Sequence, residues 1–389
     1  MTNHILKKIE QLYGEMVEIR RYLHQHPEVS YQEFKTSQFI CDYYEKLGIS
    51  YQKNVGGNGV IATVIGKHPG KTIALRADFD ALPIQDLKDV PYKSKNDGVC
   101  HACGHDGHTA ILLVLAKVLN ECKDELHGTI KFIHQHAEES APGGAIEMIN
   151  DNCLDGVDVI FGTHLWTYDK LGTVSTTPGP LMAAPDRFEI EIVGSGGHGG
   201  APHTTKDAIV IASSLVINLQ QIASRKISPL EPVVVSVGSI VSDNAFNVIA
   251  DKVKLTGTVR TFTDETRTLV EQEMIKILKA TCALYDATFS FSFDKGYPPV
   301  INHEKESHFL LEMAKQNPYI SEVKIATPTM AGEDFASYLE HVPGCYFFTG
   351  ARPLDESKAF DHHHPKFDFE EKAMLIAATT LASAALNYK

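Results

Sequence analysis

Short apolar segments alternate with helical segments in the first part of the chain, and this alternation constrains the fold more than any other feature. Four apolar runs predict buried strands, at residues 60–65, 72–75, 129–134 and 157–162. A helix predicted over 109–119 and a short helix near Ala145 lie between them. Strands that alternate with helices are typical of an α/β layer with a mostly parallel sheet.

Polar residues follow closely on these predicted strands. They are two aspartates, two glutamates and a histidine: Asp78, Asp80, Glu138, Glu139 and His164. The carboxyl ends of parallel strands meet at one edge of a sheet, and ligands bind beyond that edge. The sequence therefore predicts that these side chains gather at one site.

A different pattern occupies the middle of the chain. Strands and helices are predicted in the order strand, helix, strand, strand, helix, strand, at 187–193, 207–222, 233–241, 253–262, 265–284 and 288–293. This order is typical of a ferredoxin-like α+β module. The α/β pattern resumes afterwards, so we expect one domain formed by 1–184 and 298–389, with a second domain, 185–297, inserted into it.

The composition excludes several classes of protein. Hydrophobic residues make up 43% of the chain and charged residues 22%, as in a folded globular protein. The formal net charge of −13 repels phosphate backbones, which argues against a nucleic-acid partner. No apolar run approaches the roughly 18–20 residues that a membrane-spanning helix needs, so no membrane partner is expected either.

The cysteines and the first residues bear on localisation. The seven cysteines are odd in number and scattered along the chain. This pattern does not suit a disulfide framework and fits a reducing compartment. Residues 1–11 have mixed charge and lack the apolar core of a secretory signal. We therefore expect a cytoplasmic protein.

The segment CHACGHDGH, residues 100–108, carries the clearest chemical signal. Two cysteines and three histidines fall within nine residues, immediately before a predicted helix. Thiolate and imidazole are preferred ligands of zinc and neighbouring metals. A structural zinc site would need a second C-x-x-C-type pair, which the chain lacks, so the pattern favours a catalytic metal site. Local structural histidines are the alternative.

Further candidates lie near the other predicted strand ends. Metal-dependent hydrolysis needs one carboxylate on the ion and another to take a proton from water, and Glu138 and Glu139 could divide these tasks. A third histidine cluster occupies residues 362–364. Asp78 and Asp80 could either orient ligand histidines or bind metal directly.

Together these motifs resemble one family along essentially the whole chain. The matching segments are LRADFDALP (75–83), HACGHDGH (101–108), EE (138–139), GGHGGAP (196–202), GEDF (332–335) and HHPKFD (363–368). They resemble the two-metal aminoacylase and carboxypeptidase G-type metallopeptidase and amidohydrolase family, in its hippurate hydrolase and auxin-conjugate hydrolase branch. Much of the wider family has His-x-Asp where this chain has Asp78-Phe79-Asp80.

The resemblance implies a metal-dependent exopeptidase-like catalytic domain that binds two divalent metal ions. Zinc is favoured by the thiolate, with manganese, cobalt or nickel as alternatives. The implied metal ligands are Cys103, His105, Glu139, His164 and His363. Glu138 is implied to be the general base that takes a proton from a metal-activated water, and Asp80 to steady a ligand.

The inserted domain resembles the lid and dimerisation domain of this family. The resemblance implies that His198 stabilises the oxyanion from the partner subunit of a homodimer. It also implies that Asn247 and Arg260 hold the substrate carboxylate. Without the resemblance, the glycine-rich turn around His198 and the strand-end Arg260 would carry no such assignment.

The expected function is metal-dependent cleavage of the amide bond of N-acyl amino acids, of the hippurate or N-acetyl type. A metallo-exopeptidase, either a dipeptidase or an aminopeptidase, is the alternative, with Glu333 or Asp334 as candidates to recognise a free amine. A metal-stabilised binding protein without catalytic activity is a third hypothesis. The presence of Glu138, which metal binding alone would not require, argues against it.

Overall fold

Contacts divide the computed structural model, which describes residues 2–389, into two compact units. The first unit comprises Met1–Leu181, Val300–Thr327 and Asp334–Lys389. The second comprises Met182–Pro299 and Pro328–Glu333. The segment Pro328–Glu333 was expected to belong with the α/β domain. Instead, the main-chain N–H of Ala183 donates to Thr329 O and Ala331 O within the second unit.

The helices and strands follow in chain order, beginning with the first unit. Up to the start of the second unit they are α1 (Thr2–Gln11), α2 (Tyr13–Gln25), α3 (Phe34–Lys46), β1 (Ser50–Val55), β2 (Gly59–Ile65), β3 (His68–Asp78), α4 (His105–Glu121), β4 (His127–Gln135), α5 (Gly144–Asn150), β5 (Val159–Lys170), β6 (Thr173–Thr176) and β7 (Gly179–Met182). Helices α1 and α2 are separated at Leu12.

The remaining elements complete both units. The second unit contains β8 (Ala184–Val193), β9 (Gly197–His198), α6 (Ala208–Gln221), β10 (Val234–Val241), β11 (Val248–Ile249), β12 (Lys252–Thr261), α7 (Asp264–Ala283) and β13 (Thr288–Asp294). The first unit then resumes with β14 (Val300–Asn302), α8 (Glu304–Lys315), β15 (Glu322–Ile325), α9 (Ala336–Leu339), β16 (Gly344–Arg352) and α10 (Lys372–Asn387).

The first unit is built on an eight-stranded sheet of order β1-β2-β4-β3-β5-β16-β6-β15. Strands β4, β3, β5 and β16 at its centre are parallel, whereas β1, β2 and β6 add antiparallel pairs. Helix α4 packs against α2 and α10, and almost all of its side chains are buried. The predicted α/β fold with a mostly parallel central sheet is confirmed.

The second unit is a four-stranded antiparallel sheet of order β10-β12-β8-β13 covered by α6 and α7. Alternate residues of β8, among them Phe188, Ile190 and Ile192, are buried against these helices, as expected for a sheet with one covered face. Two helices on this strand order form the predicted ferredoxin-like module.

One helix of the second unit has the length and mean hydropathy of a membrane-spanning helix, although polar residues interrupt its apolar run. The continuous helical segment Ala208–Lys226 is long and apolar enough to cross a membrane by composition. Its buried residues, however, recur at steps of three and four, at Ala208, Ile211, Ala212, Leu215 and Leu219. This spacing is that of a helix packed by one face on a protein core.

A buried ion network joins α2 to the start of α4. Arg20 is fully buried, and its guanidinium donates to Asp106 Oδ2 at 2.9 Å, Asp368 Oδ1 at 2.7 Å and Glu371 Oε1 at 3.2 Å. His24 Nδ1 lies 2.6 Å from the same Asp106 oxygen. Because Asp106 follows His105 directly, this network fixes the segment that enters α4.

His24 is charged by its surroundings. Burial alone would lower the pKa of His24, but the charge of Asp106, the hydrogen bond with Asp106 and the nearby Asp86 carboxylate raise it to about 9. A histidine whose pKa is higher in the folded than in the unfolded chain stabilises the fold below the unfolded pKa of about 6.5. That contribution is lost as pH rises through about 9.

We therefore predict that His24→Gln flattens the pH dependence of stability between pH 6.5 and 9. The wild-type free energy of unfolding should fall by at most about 3 kcal/mol across this window, since each pKa unit corresponds to about 1.4 kcal/mol. Urea unfolding at several pH values measures the slope. The control is His26→Gln, since the His26 ring hydrogen-bonds to the neutral Tyr22 carbonyl. Equal slopes in wild type and His24→Gln would contradict the prediction.

Candidate metal centre

The predicted ligands of the first unit converge at the carboxyl edge of its central strands. Cys103 and His105 lie at the start of α4, and Glu139 follows β4. His164 lies in β5, two residues beyond Gly162, the last residue of that strand paired with β3. His363 comes from the segment between β16 and α10.

His105 is oriented by Asp80. Its Nδ1 lies 3.0 Å from the Asp80 carbonyl oxygen and 3.1 Å from Asp80 Oδ1, so Nδ1–H is the donor to both. His105 Nε2 is left buried without a hydrogen-bond partner among residues 2–389. Burial would lower the pKa of His105, but Asp78, Asp80 and Glu139 raise it to about 10. The surroundings thus favour positive charge at Nε2, which either a proton or a metal ion can supply.

Glu139 is the acidic counterpart of this imidazole. Its Oε1 lies 3.9 Å from His105 Nε2 and 3.2 Å from His363 Nε2. Within the described part of the chain Oε1 is buried and accepts no hydrogen bond. A buried oxygen and a buried nitrogen that are both unsatisfied and close together are what a metal position requires.

Cys103 stands between two imidazoles. Its Sγ lies 3.3 Å from His164 Nε2 and 3.8 Å from His362 Nδ1. His164 Nδ1 lies 3.0 Å from the Leu165 carbonyl, to which it donates, so its Nε2 lone pair faces the sulfur. Burial raises the pKa of the Cys103 thiol far above its usual range, and the carboxylates of Glu139, Glu138 and Asp78 raise it further. A thiolate here needs nearby cations.

Two groups of side chains bring possible ligand atoms close together. The ligand atoms of Cys103, His105 and Glu139 all lie within 4.8 Å of one another, and so do those of Cys103, His164 and His362. The two groups share the Cys103 sulfur. A mixed set of thiolate, imidazole and carboxylate suits zinc and its neighbours.

His363 and its neighbours in the histidine cluster differ in environment. The His363 N–H donates to Ala102 O at 2.8 Å, which holds the His363 main chain beside the Cys103 segment. His362 lies beside His164 and Cys103, whereas the resemblance implies His363 as the ligand. Nothing in the three consecutive histidines distinguishes their orientations, because only the folded main chain sets them.

His108 and Asp78 have structural partners instead. His108 Nδ1 donates to Asp78 Oδ1 at 2.6 Å, and His108 Nε2 accepts the Leu165 N–H at 2.9 Å, so neither nitrogen has a lone pair available for metal. Asp78 Oδ2 accepts from Arg76 at 2.6 Å. Both aspartates of the D-x-D pair thus hydrogen-bond to histidines, Asp80 to His105 and Asp78 to His108.

Glu138 follows a turn at the end of β4. Ala137 adopts a left-handed backbone with φ of 50°, and its N–H donates to the buried Glu33 carboxylate at 2.8 Å. The turn buries the Glu138 side chain, and its charge contributes to the raised pKa of the Cys103 thiol. Glu138 and Glu139 thus both lie close to the ligand atoms.

Two supporting residues, Ser30 and Glu33, had another predicted role. Their spacing predicts a capping box for α3, but that prediction is wrong, because neither side chain caps the helix. Ser30 Oγ donates to Asp80 Oδ2 at 2.7 Å, and Glu33 binds the Ala137 N–H. Burial raises the pKa of Glu33 to about 7, despite hydrogen bonds from Asn58 and Ala137.

The other predicted residues belong to the second unit. His198 is exposed in β9, which pairs with β11 next to Asn247, and the Gly199 N–H donates to Asn247 O at 2.8 Å. His198 Nδ1 accepts the Gly200 N–H at 2.9 Å, which leaves Nε2 as a donor. The half-buried Arg260 donates from Nε to Met330 O at 3.1 Å, and burial lowers its pKa.

We predict that Asp80→Asn weakens metal binding about 10- to 100-fold, the usual effect of losing a partner that orients a ligand. Asp80 Oδ2 accepts from Ser30 and from the Glu139 N–H at 3.0 Å while Oδ1 accepts from His105, and an amide has only one acceptor oxygen. Competition with a chromogenic zinc chelator measures the affinity. Ser30→Ala, which removes one of these bonds, should have a smaller effect. Wild-type affinity in Asp80→Asn would contradict the prediction.

Comparison with known proteins agrees with this geometry. The model of Peptidase family M20/M25/M40 matches residues 74–387. The protein YhaA of Bacillus subtilis (strain 168) is 53% identical over 388 residues, covering 100% of this chain and 98% of YhaA. The N-acyl-L-amino acid amidohydrolase of Geobacillus stearothermophilus is 47% identical over 306 residues, covering 78% of this chain and 83% of that protein.

A solved structure supports the same relationship. The Bacillus subtilis YXEP protein, described as a dinuclear metal-binding peptidase from the M20 family, has a TM-score of 0.84 and 35% identity. It covers 97% of this chain and 98% of its own. A peptidase family and relatives named as amidohydrolases identify a hydrolase that acts on C–N bonds. The chain belongs to Peptidase family M20/M25/M40.

Proposed function

We propose that the protein hydrolyses the amide bond of N-acyl amino acids and releases a carboxylic acid and an amino acid. The observation that carries this proposal is the pair of adjacent carboxylates at the ligand set. Glu139 lies 3.2 Å from His363 Nε2, and the buried Glu138 lies beside it. The Geobacillus stearothermophilus relative, named as an N-acyl-L-amino acid amidohydrolase, supports the substrate class.

The proposed metal ligands are Cys103, His105, Glu139, His164 and His363. Two divalent ions bound there, in keeping with the dinuclear M20 structure, supply a Lewis acid for the carbonyl oxygen and lower the pKa of the attacking water. The thiolate favours zinc. A reduced thiol is needed in this role, and all seven cysteines are free in the structure, which supports a cytoplasmic location.

In the proposed mechanism Glu138 takes a proton from water as the water oxygen attacks the amide carbonyl. The C–N bond then breaks, and Glu138 delivers that proton to the leaving nitrogen. Asp80 keeps His105 and Glu139 in place throughout, because it binds the imidazole and the Glu139 N–H.

Three residues of the second unit have proposed roles towards the substrate. His198 is a donor at Nε2, which suits stabilisation of the oxyanion, since the Gly200 N–H occupies its Nδ1. Asn247 and Arg260 would hold the substrate carboxylate. These three roles follow the resemblance noted for the GGHGGAP segment.

The exopeptidase alternative loses one of its candidate amine-binding residues. Asp334 is buried and accepts from Arg76 at 2.7 Å, from Gln135 at 2.7 Å and from the Ala145 N–H at 3.1 Å. Its carboxylate is therefore committed to the first unit's own structure. This commitment favours a substrate whose amine is blocked by an acyl group.

The test is a hydrolysis panel of N-acetyl and N-benzoyl amino acids alongside free dipeptides. Chelator-treated protein should be inactive and should recover on addition of zinc, manganese, cobalt or nickel. We expect cleavage of the blocked substrates, with N-benzoylglycine testing the hippurate preference. Cleavage of free dipeptides alone would identify an exopeptidase and overturn the proposal.

We predict that Glu138→Gln retains its metal and loses turnover about 10²- to 10⁴-fold, the range for a general base. A neutral amide can occupy the same space but cannot accept the proton. Metal content per chain and kcat on the best substrate of the panel are the measurements. Glu147→Gln, which alters a carboxylate paired with His136, is the control. Normal turnover in Glu138→Gln would remove Glu138 from the mechanism.

We further propose a homodimer formed through the second unit. Strand β10 is an edge of its sheet and exposes Ile240 and Val241, and α6 exposes Ile209, Val210 and Ile217. An uncovered edge strand with apolar side chains readily pairs with another strand, and a second copy offers the same strand. A dimer would let His198 act in the site of its partner.

Mixing two inactive variants, His198→Ala and Glu138→Gln, tests action across the dimer. Co-expression should restore roughly a quarter of wild-type activity, because half of randomly formed dimers are mixed and each mixed dimer has one complete site. Each variant expressed alone is the control. Elution as a monomer in size-exclusion chromatography, or no restored activity, would contradict this arrangement.

A further inference from the structure

We propose that His362 donates a hydrogen bond from Nδ1 to the Cys103 thiolate, and so tunes this metal ligand without binding metal itself. The inference rests on the proposed role of Cys103 as a ligand. It assigns a positioning role to a residue outside the predicted ligand set. His362 Nδ1 lies 3.8 Å from Cys103 Sγ, within the range of a hydrogen bond to sulfur.

The tautomer of His362 follows from its other nitrogen. The Thr167 N–H donates to His362 Nε2 at 3.3 Å, so Nε2 carries a lone pair and not a proton. A neutral imidazole has one N–H and one lone pair. The proton of His362 is therefore on Nδ1 and faces the sulfur.

The two imidazoles beside Cys103 consequently have opposite roles. His164 gives its Nδ1–H to the Leu165 carbonyl and presents the Nε2 lone pair, 3.3 Å from the sulfur. His362 gives its lone pair to a main-chain N–H and presents a proton. Binding metal through His362 Nδ1 would require the other tautomer and would leave the Thr167 N–H without its acceptor.

The His362 ring is held in this orientation by aromatic packing. It stacks on Trp166 with centroids 5.1 Å apart and an angle of 26°, and it contacts Phe367 at 4.7 Å. Trp166 in turn stacks on Phe348 at 4.3 Å and 13°. These contacts hold the plane of the His362 ring.

A donor at this position has a clear electrostatic effect. The carboxylates of Glu138, Glu139 and Asp78 surround the Cys103 sulfur with negative charge. A hydrogen bond to a thiolate stabilises its negative charge, which favours the form of the sulfur that binds metal, and it orients the sulfur. His362 thus adjusts how strongly Cys103 donates to a bound ion, and with it the affinity for metal.

Cobalt(II) added to the full-length chain is the probe, because its thiolate charge-transfer absorption reports on the Cys103 sulfur. His362→Phe keeps an aromatic ring but has no N–H. We expect its charge-transfer band to move to longer wavelength and the dissociation constant for cobalt to rise about 10-fold. His362→Gln, whose amide can donate, should restore both towards wild type.

His364→Phe is the matched control. His364 belongs to the same cluster, is exposed and stacks on Phe360 at 4.5 Å, so neither readout should change. An unchanged band and affinity in His362→Phe would overturn the inference. Loss of one cobalt ion per chain in His362→Gln would also overturn it, since His362 would then be a ligand.

Cys103→Ser separates this inference from the proposed function. If the charge-transfer band survives in Cys103→Ser, the ligand assignment fails and the inference fails with it. If Cys103→Ser abolishes the band while His362→Phe leaves it unmoved, only the role of His362 is rejected. None of these readouts depends on which substrate the enzyme cleaves.

Discussion

Buried negative charge at one edge of a sheet is the condition on which the rest of the first unit depends. Asp78, Asp80, Asp106 and Glu138 are all buried there. Charges in such surroundings persist only when they are paired or hydrogen-bonded. Asp78 and Asp106 are paired with basic side chains. Asp78 is paired with Arg76 and His108, and Asp106 with Arg20 and His24. The thiol of Cys103 and the Oε1 oxygen of Glu139 are the groups that we propose to be paired with metal ions.

Hydrogen bonds of the imidazoles decide which histidines of this region can hold those ions. His105 and His164 give away their Nδ1 protons to oxygen atoms and keep Nε2 lone pairs at the centre. His108 uses both nitrogens elsewhere, and His362 presents a proton. Four neighbouring rings therefore have three functions. The hydrogen-bond partners that distinguish these rings are mostly main-chain groups. The folded backbone therefore sets the orientation of each ring.

The general position of the site could be predicted from the sequence, since parallel strands bring their carboxyl ends together whatever the details of packing. Asp80, Glu139 and His164 were found by this argument. Ser30 and Glu33 were misassigned because their spacing satisfies a local capping rule, while tertiary contacts to Asp80 and Ala137 determine their conformation. The proposed role of His362 could not be predicted from the sequence. The side chains of three consecutive histidines differ only in their orientation, which the folded main chain sets. Likewise, no local signal places Pro328–Glu333 with the second unit.

The discontinuity of the first unit has a consequence for synthesis of the protein on the ribosome. Most of the second unit is one continuous segment, Met182–Pro299, so its sheet and helices can assemble once that segment has emerged. The proposed ligand set instead extends from Cys103 to His363. Arg20 likewise binds Asp368 and Glu371, which are synthesised much later. A nascent chain therefore contains the acidic residues of the site but not His363 until synthesis is nearly complete. With the proposed ligand set, the metal centre is complete only after His363 has been synthesised.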